Sequence, residues 1–157
     1  MKYETIDIRI FDKFRNQSYY PVISQEAIDH VRNNIKTELK CSPVQGIGVF
    51  TIKDIKKGEQ LLPLWQGETM LYAIPITEFK TFDEKVQEIV NRFFISKDIK
   101  DYVFVRLIKD VNFVTYNNVY FNSCYPDLEK QNVNNQGIAL KDIKKGEELL
   151  DDYFGNF

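Results

Sequence analysis

The chain has 157 residues, a formal net charge of −2, and 43% hydrophobic and 28% charged residues, a length and balance that can bury one core without disulfides or a structural metal. Its two cysteines, Cys41 and Cys124, stand far apart and its one histidine is His30, which argues against a structural zinc site. Lysine and arginine are dispersed among acids, which disfavours a direct nucleic-acid role; no apolar run could span a membrane, and Met1-Lys2-Tyr3-Glu4 opens no secretory or transit pattern, so a cytoplasmic or nuclear place is expected.

In chain order, Ile6, Ile8 and Ile10 alternate with Tyr3, Thr5, Asp7, Arg9 and Phe11, which predicts a strand over 3–11, placed at a sheet edge. Ser24 precedes Ala27, Ile28, Val31 and Ile35 at helical spacing, so a helix is predicted over 25–38 with Ser24 as its cap and His30 as a boundary residue. Strand signals then run from 38 to 74, interrupted by turns at Ser42-Pro43, Gly46-Ile47-Gly48 and Lys57-Gly58. After Pro75, the residues Phe79, Phe82, Val86, Ile89, Val90 and Phe93 recur every three or four positions, predicting a helix over 78–95 capped by Thr77 or Thr81. Tyr102 to Val114 returns to strand alternation, 130–136 is a Gln/Asn-rich loop, and Ile138 to Asp152 forms a last strand pair. The expected class is mostly β with a few helices (α+β), with residues 1–39 as a strand-and-helix extension packed on a domain of residues 40–157.

One phrase occurs twice, as Thr51-Ile-Lys-Asp-Ile-Lys-Lys-Gly-Glu-Gln-Leu-Leu62 and as Ala139-Leu-Lys-Asp-Ile-Lys-Lys-Gly-Glu-Glu-Leu-Leu150. Each copy alternates apolar and charged residues and reaches Lys-Lys-Gly, where a positive φ is easy. Each is therefore expected to fold as strand, tight turn, strand. The first copy follows Gly46-Ile47-Gly48-Val49-Phe50; the second follows Asn122-Ser123-Cys124-Tyr125-Pro126-Asp127 and runs into Asp151-Asp152-Tyr153.

In that order these segments resemble a SET domain, the compact β-rich fold of many protein-lysine methyltransferases. The family's first block, a G-x-G turn with a strand and a turn ending in G-E, is similar to Gly46–Glu59. Its last block, N-H-S-C-x-P-N, then K-x-G-E-E-L and a terminal D-Y, is similar to Asn122–Tyr153. The likeness covers roughly residues 40 to 154 and is loosest in the middle. It implies a SET-like β-clip fold of small sheets, S-adenosylmethionine as cofactor, and a protein or peptide lysine as substrate. It further implies that Gly46, Ile47 and Gly48 approach the methionine part of the cofactor, that Phe121, Asn122, Ser123 and Cys124 cradle its adenine and amino group, and that the Tyr153 hydroxyl is catalytic. Tyr116 and Tyr120, with Trp65, Tyr72 and Tyr102, are candidates for an aromatic wall around the lysine stem, although each taken singly is first a core residue. The family's His is missing from Asn122-Ser123-Cys124: either it has been deleted, or Phe121 and Asn122 stand in place of the Asn-His pair.

Methyl transfer to an amine is an in-line displacement in which orientation supplies several kcal/mol, and a lysine of pKa about 10.4 must arrive neutral, helped by an apolar channel beside a sulfonium. No catalytic histidine is needed, and Cys124 is expected to be a packing residue and not a nucleophile. Asp151 stands where relatives carry Phe or Tyr, and the cost of burying an unpaired acid predicts that it turns outward as a solvated strand end. A second reading stays open, a noncatalytic SET-like interaction module. The altered Asn-His block and the lack of a cysteine-rich segment after Tyr153 favour it, whereas Gly46, Gly48 and Tyr153 favour the enzyme.

Overall fold

A computed structural model describes residues 4–5, 21–93, 101–112 and 121–152. The chain divides into two compact units, each built from two separate stretches: Met1–Ile35 with Leu64–Phe113, and Lys36–Pro63 with Val114–Phe157.

The first unit holds a four-stranded sheet in the order β1-β2-β5-β6. Strand β1 (Glu4–Thr5) is the described part of the expected strand over 3–11, and it lies at the sheet edge, antiparallel to β2 (Val22–Ile23). Strand β2 runs parallel to β5 (Met70–Pro75), which pairs antiparallel with β6 (Tyr102–Leu107) from Met70↔Leu107 to Pro75↔Tyr102. Helix α1 (Gln25–Asn34) starts as expected, the Ser24 Oγ accepting from Ala27 N at 3.4 Å, and buries Ala27, Ile28 and Val31. It ends short of residue 38. Ile35 is already extended, and the backbone beyond it is taken by strand bonds, with Ile52 N donating to Lys36 O at 2.9 Å and Thr37 paired with Thr51. The helical apolar period continues into Ile35, which is why period alone overruns the end.

The single helix expected over 78–95 is two. Helix α2 (Ile76–Phe79) and helix α3 (Glu84–Phe93) are separated where Thr81 N and Phe82 N bond back three residues, to Glu78 O and Phe79 O. Neither expected threonine caps: α2 is preceded by Pro75, and the Thr81 hydroxyl donates to Glu78 O at 2.6 Å. Asp83 starts α3 instead, its Oδ1 accepting from Lys85 N at 2.8 Å. The break keeps Phe79 and Phe82 together, edge to face at 5.3 Å, both buried.

His30 is buried. Its ring meets Trp65 edge to face at 5.1 Å, and Trp65 meets Tyr72 of β5 in the same way at 5.4 Å, while the indole Nε1 and the Tyr72 hydroxyl both donate to Glu68 O. The Asn34 amide nitrogen stands 3.0 Å from Nδ1, so Nδ1 accepts and the ring proton is assigned to Nε2. Burial lowers the His30 pKa below its ordinary 6.5, so the unfolded chain takes up this proton first. Stability is then complete above about pH 6.5 and declines as pH falls through the window between the unfolded and the lowered folded value. We expect the melting temperature to fall on acidification across that window and the slope to flatten in His30→Gln. An unchanged slope in that variant, which lacks the chain's only histidine, would show that His30 is not responsible.

In the second unit, β3 (Thr37–Cys41) and β4 (Ile47–Thr51) form an antiparallel hairpin from Thr37↔Thr51 to Cys41↔Ile47. The duplicated phrases do not make two hairpins of their own. Each contributes a tight turn, with Glu59 N on Lys56 O and Glu147 N on Lys144 O, and Gly58 and Gly146 at φ +89° and +88°. The flanks of each turn pair with the other copy, in matched bonds related by a local two-fold. Ile55 and Ile143 exchange both backbone bonds, at 2.8 and 2.9 Å. Thr51 N donates to Glu147 O as Ala139 N does to Glu59 O, and Leu149 N to Val49 O as Leu61 N does to Gly137 O. Lys57 N reaches the Asp142 carboxylate and Lys145 N the Asp54 carboxylate, each at 2.9 Å. The physical reason is burial: paired this way, Ile55, Leu61, Ile143 and Leu149 meet in one core with Val49, Phe121, Val133 and Ala139. A hairpin closed on itself would leave each apolar face without that partner. The mix of small sheets and few helices is that of the expected α+β class.

Candidate functional site

The β3–β4 connection is built by its own residues. Ser42 N donates to Gly46 O at 2.8 Å, the Ser42 hydroxyl accepts from Val44 N and Gln45 N, and Gly46 takes φ +52°. Gly46 is therefore required by the turn itself. Gly48 has a structural purpose besides the one expected of it. A Cβ there would stand 2.8 Å from the Glu148 Cδ and 3.1 Å from the Ser42 Cβ, so the missing side chain makes room for a carboxylate of the protein itself.

Strand β7 (Asn122–Ser123) pairs in parallel with β8 (Leu150–Asp151), and Cys124 N donates to Asp151 O at 3.0 Å. Beside this pair, the buried Asn132 side chain donates to Glu148 O and accepts from Leu150 N, both at 2.9 Å. This pairing carries Asn122 to the Gly46 turn. The Asn122 amide Nδ2 lies 2.9 Å from Gln45 O, 3.3 Å from Ile47 O and 2.9 Å from Glu148 Oε1. Residues far apart in sequence thus meet at one nitrogen: two main-chain carbonyls and one carboxylate converge on a group with only two protons to give. Such a cluster of acceptors favours a positively charged ligand group over an anion.

Of the residues expected to hold a cofactor, Gly46, Ile47, Gly48 and Asn122 come together directly, with Ser123 and Cys124 continuing the same segment. The Ser123 hydroxyl accepts from Tyr125 N at 3.2 Å. Phe121 is the exception: its ring lies in the core with Val49 and Ile55, leaving only its main chain for a ligand. The side chain presented to the turn from this block is that of Asn122. Cys124 is buried, and burial followed by the nearby Asp152 and Asp151 charges pushes its thiol pKa up, which suits packing and not nucleophilic attack.

Asp151 departs from expectation. It is 5% exposed, and its Oδ1 accepts from Gln131 Nε2 at 3.1 Å and Asp152 N at 2.8 Å. The hydrogen bonds lower the burial cost that argued for an outward carboxylate. Tyr153, Tyr116 and Tyr120 lie outside the described residues. Trp65 and Tyr72 belong to the buried aromatic cluster of the other unit, and Tyr102, on β6, packs on a separate cluster with Ala73 and Phe104, its ring 6.4 Å from that of Phe104.

Two residues at the site were missed in the sequence. Glu148 accepts from the Ser42 hydroxyl at 2.7 and 2.9 Å through its two oxygens, besides Asn122. A signal existed: Glu148 and Gln60 occupy the same place in the two copies, and this is where the otherwise shared Lys-Lys-Gly-Glu-x-Leu-Leu run differs.

Comparison with protein families gives a match to the SET domain over residues 46–154, the stretch that contains both the Gly46 turn and the Asn122–Cys124 segment. Comparison with curated proteins gives no match.

Proposed function

The chain belongs to the SET-domain family, and from that premise we propose that it transfers the methyl group of S-adenosylmethionine to a lysine side chain of a protein. The observation that carries this reading is the Asn122 bridge, which assembles the first and last family blocks at one place. The residues fit the cofactor's chemistry, because its ammonium and sulfonium groups are cationic and the turn offers the Gln45 and Ile47 carbonyls and the Glu148 carboxylate. When bound, the cofactor supplies an activated methyl on a positively charged sulfur. The protein's part is binding and orientation. Gly46, Ile47 and Gly48 hold one end, Asn122, Ser123 and Cys124 the other, and the Tyr153 hydroxyl orients the amine. The reaction requires that water be kept out and that the lysine arrive in its neutral form.

One observation favours a second reading, a noncatalytic interaction module: the Gln45 and Ile47 carbonyls already accept from Asn122. Calorimetric titration and thermal melting with S-adenosylmethionine or its demethylated product decide between them. Binding at a hundredfold excess over Kd should add about 2.7 kcal/mol of stability, and label from a methyl-labelled cofactor should appear in lysine-containing protein. Neither heat nor thermal shift at millimolar cofactor would leave the interaction module in front.

A further inference from the structure

The internal duplication supplies a control for what Glu148 does. Gln60, its equivalent in the first copy, also crosses to the other half: its Nε2 donates to Gln136 O at 3.0 Å beside Gly137, as Glu148 lies beside Gly48, while its Oε1 accepts from Leu62 N at 2.9 Å. On the same framework, where Gln60 has only main-chain partners, Glu148 accepts from two side chains, the Ser42 hydroxyl and the Asn122 amide. Its space is kept by the absence of a side chain on Gly48. The first half uses this position to hold the 134–137 loop. The second uses it to join the β3–β4 turn to β7.

We propose that Glu148 is a positioning residue that acts through Asn122: the carboxylate fixes the Asn122 amide against the Gln45 and Ile47 carbonyls, and thereby sets the shape of the cofactor-binding turn. The role in cofactor binding rests on the methyltransferase reading; the fixing of Asn122 stands apart from it. The physical basis is that a carboxylate accepts at both oxygens. One can hold Asn122 while both hold Ser42, whose own oxygen caps Val44 N and Gln45 N. Without Glu148 the Asn122 amide retains only main-chain acceptors, one of them at 3.3 Å, and the Ser42 hydroxyl loses its acceptor. A hydrogen bond to a charged group contributes more than a neutral one, so this link dominates the set.

The test uses the full chain, with the demethylated product of S-adenosylmethionine as probe. Glu148→Ala is expected to weaken binding about tenfold or more, the size of a lost charge-assisted bond. Glu148→Gln, which keeps an acceptor for Asn122, should recover most of that loss. The double variant with Asn122→Ala should lose less than the sum of the two single losses, since the part of Glu148 that acts through Asn122 has nothing left to act on. Gly48→Ala, which drives a Cβ into the carboxylate, should imitate Glu148→Ala and serves if that variant does not fold. A ligand-free readout separates this idea from the function proposed above: the side-chain amide protons of Asn122, followed by NMR, should exchange slowly in the parent and Glu148→Gln and fast in Glu148→Ala and Gly48→Ala. If the parent binds no probe yet the amide protons behave in this way, the methyltransferase reading fails and the Glu148 link stands. Additive losses in the double variant, or Asn122 protons indifferent to Glu148→Ala and Gly48→Ala, overturn the proposal.

Discussion

Ile143→Ala is expected to destabilise the second unit by about 2–5 kcal/mol, the usual cost of cutting a buried Ile to Ala. Ile143 and Ile55 are each 1% exposed and exchange both backbone hydrogen bonds at the local two-fold. The side chains lie in the cluster that also holds Leu61, Leu149 and Phe121, so a cavity there is felt by both copies at once. Against a typical domain stability of about 5–15 kcal/mol, the loss is a large share. Ile55→Ala should cost a similar amount, and the pair together should cost less or more than the sum, because neighbouring sites couple. Urea unfolding followed by circular dichroism measures all three. Leu140→Ala, at a 38% exposed position of the same phrase, is the control and should change stability by no more than about 0.5 kcal/mol. An Ile143→Ala loss as small as the control's would mean that the two copies are not held together at this pair.

That pairing marks the boundary of what the sequence discloses. Turn chemistry is local, and the positive φ at Gly58 and Gly146 and the Ser24 cap were legible because each depends on a few adjacent residues. Partner choice is not local. The alternation in each copy announced a strand-forming, half-apolar segment but could not say whether it folds on itself or on its repeat; burial of the shared core decides that. The helix break has the same origin. Phe79, Phe82 and Val86 keep a helical period across a gap where the backbone turns back on Glu78 and Phe79, so period shows a continuous face where there are two helices.

The site was legible in part. Its two sequence blocks were recognised and they do meet, but what joins them was not visible: Asn122 was expected only to face a ligand, Ser42 only to form a turn, and Glu148 had no expected role at the site. Asp151 shows the opposite error. Beside Asp152 it has the look of a polar chain end, yet the parallel pairing of β8 with β7 and the Gln131 amide enclose it. Gly48 was assigned to the ligand because glycine permits close approach; that its open side also admits the Glu148 carboxylate of the same chain was not visible. In each case the deciding contact is with a residue distant in sequence, which no local pattern records.

Tyr153→Phe is expected to cut methyl transfer by orders of magnitude while leaving cofactor affinity nearly unchanged. Under the methyltransferase reading the substitution keeps the ring and removes one hydroxyl, so packing and the Gly46 and Asn122 contacts are not touched. What is lost is a group that orients the amine at the moment of displacement. Each tenfold in rate is about 1.4 kcal/mol of barrier, and orientation of reacting groups supplies several kcal/mol, so one misaligned hydroxyl can account for a large fall. The signature is a matched decrease in kcat and kcat/KM for the lysine substrate, as for an interaction made only in the transition state, with an unaltered calorimetric Kd for the demethylated cofactor. A variant that keeps the parent's turnover would remove Tyr153 from the reaction. A variant whose cofactor Kd rises in step with its loss of rate would place the hydroxyl in ground-state binding instead. The Glu148 variants should differ from it in kind: they act first on cofactor affinity, whereas Tyr153→Phe acts on the chemical step.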